Sequence, residues 1–154
     1  NEPLECWDTG SVTTMKYMFN VAPAFNQPLN NWNVGQVTDF YFMFNFATAF
    51  NSNFNQPLDS WNVGQVGNMD RMFISNPSFN QPLDAWDVGS VTSMSAMFYN
   101  AAEFNLPLDS WSVSRVANMG YMFDFSNFNQ PLDSWNVGQV GNMNGMFSIT
   151  SNFN

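Results

Sequence analysis

The chain has 154 residues, of which 45% are apolar and 18% aromatic, so a disordered polypeptide poor in hydrophobic residues is excluded. Only 10% of the residues are charged, and 3 basic against 12 acidic residues give a net charge of −9. This balance argues against nucleic acid and anionic membranes as partners, because both bind clusters of Lys and Arg. The sequence contains no histidine, which excludes histidine-based catalysis and histidine zinc ligands within it.

The first residues carry no targeting segment, and no apolar run reaches the roughly 18 residues that predict a membrane-spanning helix. Residues 3–7 match residues 57–61, so the sequence opens within a repeat and a targeting segment can lie outside it. The single cysteine, Cys6, excludes an internal disulfide. Because no histidine is present to activate it, Cys6 is predicted to be a free, partly buried thiol without a catalytic role.

A repeat of 24–29 residues runs through nearly the whole sequence. Its most regular marker is tryptophan, which recurs at spacings of 25, 29, 25, 25 and 24 residues: Trp7, Trp32, Trp61, Trp86, Trp111 and Trp135. A second marker, Phe-Asn-Gln/Leu-Pro-Leu, occurs five times, at residues 25–29, 54–58, 79–83, 104–108 and 128–132. Repeats of this length are typical of solenoids and are too short for propeller blades. The sequence therefore predicts six consecutive coils in a single domain, residues 1–154.

The elements of one coil follow from its apolar spacing, taken here from the third copy. Trp61 and Val63 alternate with a polar residue, which predicts a strand. The spacing then changes, since Val66 and three further apolar residues over 69–73 fall at i, i+3, i+6 and i+7, one face of a short helix. The return segment through Phe-Asn-Gln-Pro-Leu is predicted to be extended because proline restricts its neighbours.

Stacking such coils predicts an α/β solenoid, right-handed and leucine-rich-repeat-like, with one parallel strand and one short helix in each of six coils. Equivalent side chains would then form internal ladders of Trp on Trp, Met on Met and Phe on Phe. The asparagine after each phenylalanine would form a buried ladder that satisfies backbone groups of the turns: Asn26, Asn55, Asn80, Asn105 and Asn129.

The motif Phe-Asn-Gln-Pro-Leu-x-x-Trp-x-Val-x-x-Val-x-x-Met-x-x-Met-Phe resembles a repeat of about 25 residues in mycoplasma-like surface lipoproteins. It also resembles the BspA-type leucine-rich-repeat surface proteins of bacteria. The resemblance covers residues 3–154 and implies a secreted or surface-anchored repeat protein, with adhesion or host-protein binding in some relatives. It supplies no catalytic motif. One departure is Val-Gly-Gln-Val in place of Val-Ser-Asn-Val at residues 34–37, 63–66 and 137–140.

Acidic residues recur two positions before tryptophan and form a candidate calcium site. The slot holds Glu5, Asn30, Asp59, Asp84, Asp109 and Asp133. Strands stack about 4.8 Å apart, so the four aspartates could share Ca²⁺ weakly through their oxygens. The alternative is a solvated acidic face. No other cofactor is predicted.

The slot just after tryptophan supplies the candidate binding face, with Asn33, Asn62, Asp87, Ser112 and Asn136, and Asp8 in the first coil. The repeated Trp, Phe and Met residues are interpreted as core. Aromatic residues outside that frame are candidates for an exposed partner-binding or glycan-binding cluster: Tyr41, Phe42, Phe46, Phe50, Tyr99, Tyr121 and Phe125.

These features predict a non-catalytic, extracellular or cell-surface repeat module for adhesion, with a protein or a glycan as partner. The alternative is a structural building block of a surface filament or sheath, in which solenoid ends stack on one another. Carboxylate pairs at glycosidase spacing arise in any repeat with an acidic slot, so they do not predict an enzyme.

Overall fold

The computed structural model describes residues 4, 6–45, 54–150 and 153, and over these residues it contains neither an α-helix nor an extended strand. The predicted α/β class is therefore wrong. What the structure has instead is a stack of coils made of tight turns. For reference, the coils are numbered from the leucine that opens each one: coil 1 is 4–28, coil 2 is 29–57, coil 3 is 58–82, coil 4 is 83–107, coil 5 is 108–131 and coil 6 is 132–153.

Successive coils are joined by isolated parallel β-bridges, each of which links equivalent residues of neighbouring coils. The five bridges connect Thr14, Asp39, Asn68, Ser93, Asn118 and Asn142 in that order. Each bridge residue lies directly before the second apolar residue of the segment that the sequence predicted to be helical, as Asn68 lies between Val66 and Met69. The stacking of coils is thus as predicted, but the parallel pairing lies in the predicted helix and not at Trp61–Val63.

The apolar spacing that mimics a helix comes from a series of tight turns. In coil 3, backbone N–H groups bond to the carbonyl three residues earlier, from Trp61 to Leu58 at 3.1 Å and from Val66 to Val63 at 2.9 Å. The same turn recurs from Met72 to Met69 at 3.3 Å. Since a turn of this kind brings the chain inward every three or four residues, it reproduces the apolar period of a helix without helical hydrogen bonds.

Positive backbone φ angles prevent a helix from forming in this segment. The residue three positions after each bridge residue has φ between 52° and 60°: Tyr17, Phe42, Arg71, Ala96, Tyr121 and Gly145. We call this set the left-handed column. A right-handed helix requires φ near −60°, whereas the third residue of a type II turn requires a positive φ and is usually glycine. In the left-handed column glycine stands only at Gly145.

The backbone between these turns bonds to the next coil at every second residue. In coil 3, the N–H groups of Met69, Arg71 and Phe73 donate to carbonyls of coil 4 at 2.9–3.0 Å. The alternate N–H groups, such as that of Met72, close the turns within the coil. The N–H groups of one segment therefore form hydrogen bonds both within its own turns and to the next coil. These bonds explain how residues other than glycine are held at positive φ.

The core consists of columns of identical rings. Trp61, Trp86 and Trp111 stack with ring centroids 6.4–6.5 Å apart and planes within 2° of parallel. Each buried indole N–H donates to a leucine carbonyl of the preceding coil, as Trp111 does to Leu83 at 2.8 Å. A phenylalanine column follows the Met-x-x-Met turn with centroids 5.6–5.7 Å apart: Phe19, Phe44, Phe73, Phe98, Phe123 and Phe147. The predicted ladders of Trp and Phe are confirmed, and Met69, Met94 and Met119 are buried with them.

The asparagine ladder exists, but it is not buried as predicted. The Asn80 N–H donates to Oδ1 of Asn55 at 3.0 Å, and the Asn129 N–H donates to Oδ1 of Asn105 at 2.8 Å. These asparagines are half-buried or exposed. Each lies two residues before a proline, outside the turns, and they connect the backbone of one coil to the next.

Candidate functional site

The acidic slot, two residues before each tryptophan, lies on an exposed edge, and carboxylate oxygens of Asp109 and Asp59 accept hydrogen bonds from other coils. Oδ1 of Asp109 accepts the backbone N–H of Ser134 at 3.0 Å, and Oδ1 of Asp59 accepts from Nδ2 of Asn30 at 3.1 Å. The Ser134 N–H, and then the Ser134 side chain, hold the pKa of Asp109 below its ordinary value. Glu5 lies outside the described residues.

No group of three or more Cys, Asp or Glu side chains that could hold a metal ion is present among the residues described. The weak calcium site at Asp59, Asp84, Asp109 and Asp133 stays a prediction. The Asp109 carboxylate accepts from the next coil and the Asp59 carboxylate from the preceding one. Cys6 is exposed and not partly buried as predicted, and it forms no disulfide in the described structure.

The slot after tryptophan forms an exposed line of turns, which we call the Asx ridge: Asp8, Asn33, Asn62, Asp87 and Asn136. In each case Oδ1 accepts the N–H of the glycine two residues later at 3.0–3.2 Å. A methyl group on Gly89 would come within 3.1 Å of the Asp87 oxygen, so a larger residue there would require the Asp87 side chain to shift by a few tenths of an ångström. In coil 5 the Asx residue and the glycine are both replaced, by Ser112 and Ser114.

The structure therefore brings the predicted binding-face residues onto one line, but gives them a turn-forming role. It also explains the Val-Gly-Gln-Val departure, because the glycine accompanies the Asx turn. A binding role for the Asx ridge stays a prediction.

Apart from Trp7, the most exposed aromatic side chains of the described residues lie on and beside the left-handed column. Tyr17 is 51% exposed, Tyr121 48% and Phe125 43%. Tyr17 packs edge-on against Tyr41 at 5.3 Å and stacks on Phe42 at 5.6 Å. We call Tyr17, Tyr41, Phe42, Tyr121 and Phe125 the aromatic band. Tyr121 and Phe125 are exposed as predicted, whereas Tyr41, Phe42 and Tyr99 are half-buried; Phe46 and Phe50 lie outside the described residues.

Two of the three basic side chains of the sequence lie at this band. The Arg71 guanidinium is 5.3 Å above the Phe42 ring and donates to the Tyr41 hydroxyl at 3.3 Å. Lys16 pairs with Asp39 at 2.9 Å, and the hydrogen bond and charge of Asp39 raise the lysine pKa. Desolvation, and then the hydrogen bond with Tyr41, raise the pKa of the Tyr17 hydroxyl. The band is thus an aromatic surface with hydroxyl and cationic edges in an otherwise acidic protein.

Arg71, Ala96 and Asp124 line a cavity beside Tyr121, and the sequence predicts none of the three as a site residue. Arg71 and Ala96 occupy the left-handed column, and Asp124 lies between Tyr121 and Phe125 with 5% of its surface exposed. The available signal was positional: the two residues before each repeated Met-Phe pair differ from copy to copy, whereas the Met-Phe pair itself is the same in all six copies.

The family comparison covers the entire chain. The model of a family described as "Mycoplasma protein of unknown function, DUF285" matches residues 1–56 and 51–154. No curated protein and no solved structure matches the chain. Over the described residues, no helix is long and apolar enough to cross a membrane.

Proposed function

Starting from the membership of this chain in the DUF285 family, whose description assigns no function, we propose that the protein is a non-catalytic, extracellular binding module. It attaches to a protein or a glycan at a cell surface through the aromatic band. The observation that carries the proposal is the exposure of Tyr17 and Tyr121 on the left-handed column and of Phe125 beside it.

The exposed rings suit binding better than packing. At the equivalent positions Ala96 and Gly145 are accommodated, so no ring is required there to complete a coil. Exposed aromatic side chains offer large contact area with few rotatable bonds and are enriched at recognition surfaces. The tyrosine hydroxyls add hydrogen-bonding groups at the same place.

The framework behind the band is suited to hold it in a fixed arrangement. Backbone bonds between coils place the column residues one coil apart, and the stacked phenylalanine column lies two residues away in sequence. Preorganised aromatic side chains lose little conformational entropy on binding. The stack of coils thus works as a rigid holder for side chains that differ from coil to coil.

The test is a binding screen with two matched double variants. The biotinylated protein is applied to arrays of glycans and of extracellular proteins, alongside Tyr17→Ser/Phe125→Ser and the control Asn33→Ser/Asn136→Ser. All four side chains are exposed, and serine can form a similar turn at the two asparagines. Circular dichroism and urea unfolding verify that both variants are folded.

Loss of signal in the aromatic variant alone supports the aromatic band. Loss in the asparagine variant alone moves the function to the Asx ridge and overturns the band as the binding surface. No ligand for the parent protein across both arrays counts against a binding module altogether.

A structural role in a surface filament or sheath is the second candidate, favoured by the apolar surface of the outermost coils. Trp7 is 55% exposed where Trp61 is 3%, and Val137 and Met143 are 40% exposed where Val63 and Met69 are buried. A further coil or a second copy of the chain would cover these side chains. Light scattering across a concentration series separates the candidates, since self-stacking requires a mass that rises with concentration.

The proposal of an extracellular binding module includes three further expectations. They are the surface location, the right-handed winding and the BspA-type attribution. Their support is the repeat motif and its resemblance to surface proteins. Labelling of intact cells with an antibody against the chain would test the location, and labelling only after lysis would contradict it.

A further inference from the structure

The left-handed column contains a notch where one small residue stands between two large ones. Ala96 follows Arg71 and precedes Tyr121 in the column. The space beside it is a cavity of about 290 Å³ whose lining includes Arg71, Ser95, Ala96, Tyr99, Tyr121 and Asp124. This volume lies at the lower end of the range for ligand sites, roughly 300–1,000 Å³, and suits one ring.

A buried acceptor in the lining lacks a partner. Asp124 is 5% exposed, and its Oδ1 accepts no hydrogen bond from the described part of the chain. The same position in coil 2 shows how the fold satisfies a buried polar group, since Asn45 there donates to Asn20 at 2.7 Å. An unpaired buried acceptor is costly and uncommon, which indicates that a donor from outside the chain completes the site.

The other lining groups define the chemistry of that donor. Arg71 presents several N–H donors, and Ser95 and the tyrosines present hydroxyls. A carboxylate in the lining disfavours an anionic ligand, and a guanidinium in the same lining disfavours a cationic one. Aromatic rings offer a face for an apolar surface. A neutral ring that both donates and accepts hydrogen bonds meets all of these conditions.

We propose that the Ala96 notch binds one neutral hexopyranose unit of a glycan. A sugar hydroxyl donates to Oδ1 of Asp124, and a second accepts from Arg71. A third donates to Oγ of Ser95, whose own proton goes to the Gly120 carbonyl at 3.1 Å. A C–H face of the ring packs against Tyr99 or Tyr121. This proposal rests on the proposed binding function and names its ligand class.

The experiment uses methyl glycosides of glucose, galactose and mannose as probes, with lysine methyl ester and glucuronate as charged comparisons. Binding is followed through ¹⁵N–¹H NMR shifts of the isotope-labelled chain. Ala96→Tyr fills the notch with a residue that the column already holds in coils 1 and 5. Asp124→Leu removes the acceptor. Asn100→Tyr is the matched control, because it adds the same ring at another positive-φ position outside the lining.

At least one glycoside should shift Ser95, Tyr99 and Tyr121, and both test variants should weaken it at least about tenfold. Asn100→Tyr should bind as the parent does. The urea midpoint of Asp124→Leu should not fall, since the substitution removes an unpaired buried acceptor. Preference for lysine methyl ester or for glucuronate would overturn the sugar assignment.

Failure of this inference is distinct from failure of the binding function. If array binding is lost in Tyr17→Ser/Phe125→Ser but unchanged in Ala96→Tyr and Asp124→Leu, the aromatic band stands and the notch is not a sugar site. If the arrays and the glycosides both give nothing, both proposals fail.

Discussion

Two columns of the molecule run side by side and follow opposite rules. The phenylalanine column repeats one residue in every coil, and its rings are stacked 5.6–5.7 Å apart. The left-handed column, two residues earlier in each coil, holds tyrosine, phenylalanine, arginine, alanine or glycine. The comparison teaches that packing against an identical neighbour requires one residue type, whereas the positive-φ position accommodates side chains of different size and polarity.

The largest contrast is expected between Phe98→Ala and Tyr121→Ala. Phe98 is fully buried and stacks on Phe73, Phe104 and Phe123. Its truncation should lower the free energy of unfolding by about 3–5 kcal/mol. Tyr121→Ala, at an exposed side chain of the left-handed column, should change the free energy of unfolding by about 0.5 kcal/mol or less. Urea unfolding measures both, and equal losses would remove the distinction between the columns.

Two substitutions in the tryptophan column compare a buried indole N–H that donates a hydrogen bond with an exposed one. Trp111→Phe keeps an aromatic ring but leaves the Leu83 carbonyl without the indole N–H that now lies 2.8 Å away. The Leu83 carbonyl keeps the backbone N–H of Trp86 at 3.1 Å. The lost hydrogen bond should therefore lower the free energy of unfolding by about 0.5–1.5 kcal/mol, and the smaller ring should add a packing loss. The matched change Trp7→Phe, at a ring that is 55% exposed, should cost less than about 1 kcal/mol. A cost at Trp7 as large as that at Trp111 would argue against the role of the buried N–H.

Because residues of the left-handed column have positive φ, we expect a substitution to glycine to stabilise the fold there, whereas such a substitution normally destabilises it. Ala96 has φ of 52°, and such a residue is strained by about 1–2 kcal/mol. Ala96→Gly should therefore leave stability unchanged or raise it by up to about 1 kcal/mol after the entropy of glycine is subtracted. Ala117→Gly, at a residue without positive φ, should lower stability by about 0.5–1 kcal/mol. Thermal unfolding of the pair tests the sign.

The smallest effect is a pH dependence at Asp109. Its pKa is lowered in the folded chain from an ordinary value of 3.8, so its contribution to stability is present above that value. The contribution is lost as the pH falls below 3.8 and through the folded pKa. Asp109→Asn should remove this part of the acid dependence. Ser134→Ala should retain most of it, because the backbone N–H of Ser134 is the larger cause. Carboxyl NMR titration of Asp109 in the parent protein and in Ser134→Ala measures the pKa shift.

The repeat, its six copies and its internal ring columns could be predicted because identical residues at one spacing must stack. The strand and the helix could not, because chained turns produce the same apolar spacing over Val66, Met69 and Met72 as a helix does. Positive φ at Arg71 was hidden for a physical reason. The usual sign, glycine, is absent there, since bonds between coils hold the residue in place.

The candidate site was predictable in part. Tyr121 and Phe125 were found as aromatic residues outside the repeated frame. Asp124 was missed because burial of a carboxylate in the stack has no sequence signal. The exposed asparagine ladder was misjudged because hydrogen bonding between coils does not require burial.

The most direct test of the architecture is NMR measurement of the backbone φ at Arg71, Ala96 and Tyr121, together with the contacts of the Met69 N–H. We expect positive φ at all three residues and a close contact from the Met69 N–H to Ser93 of the next coil, whose carbonyl oxygen lies 3.0 Å from the Met69 nitrogen. Negative φ with contacts between residues three and four apart along 66–73 would show a helix, and would contradict both the chain of turns and the left-handed column.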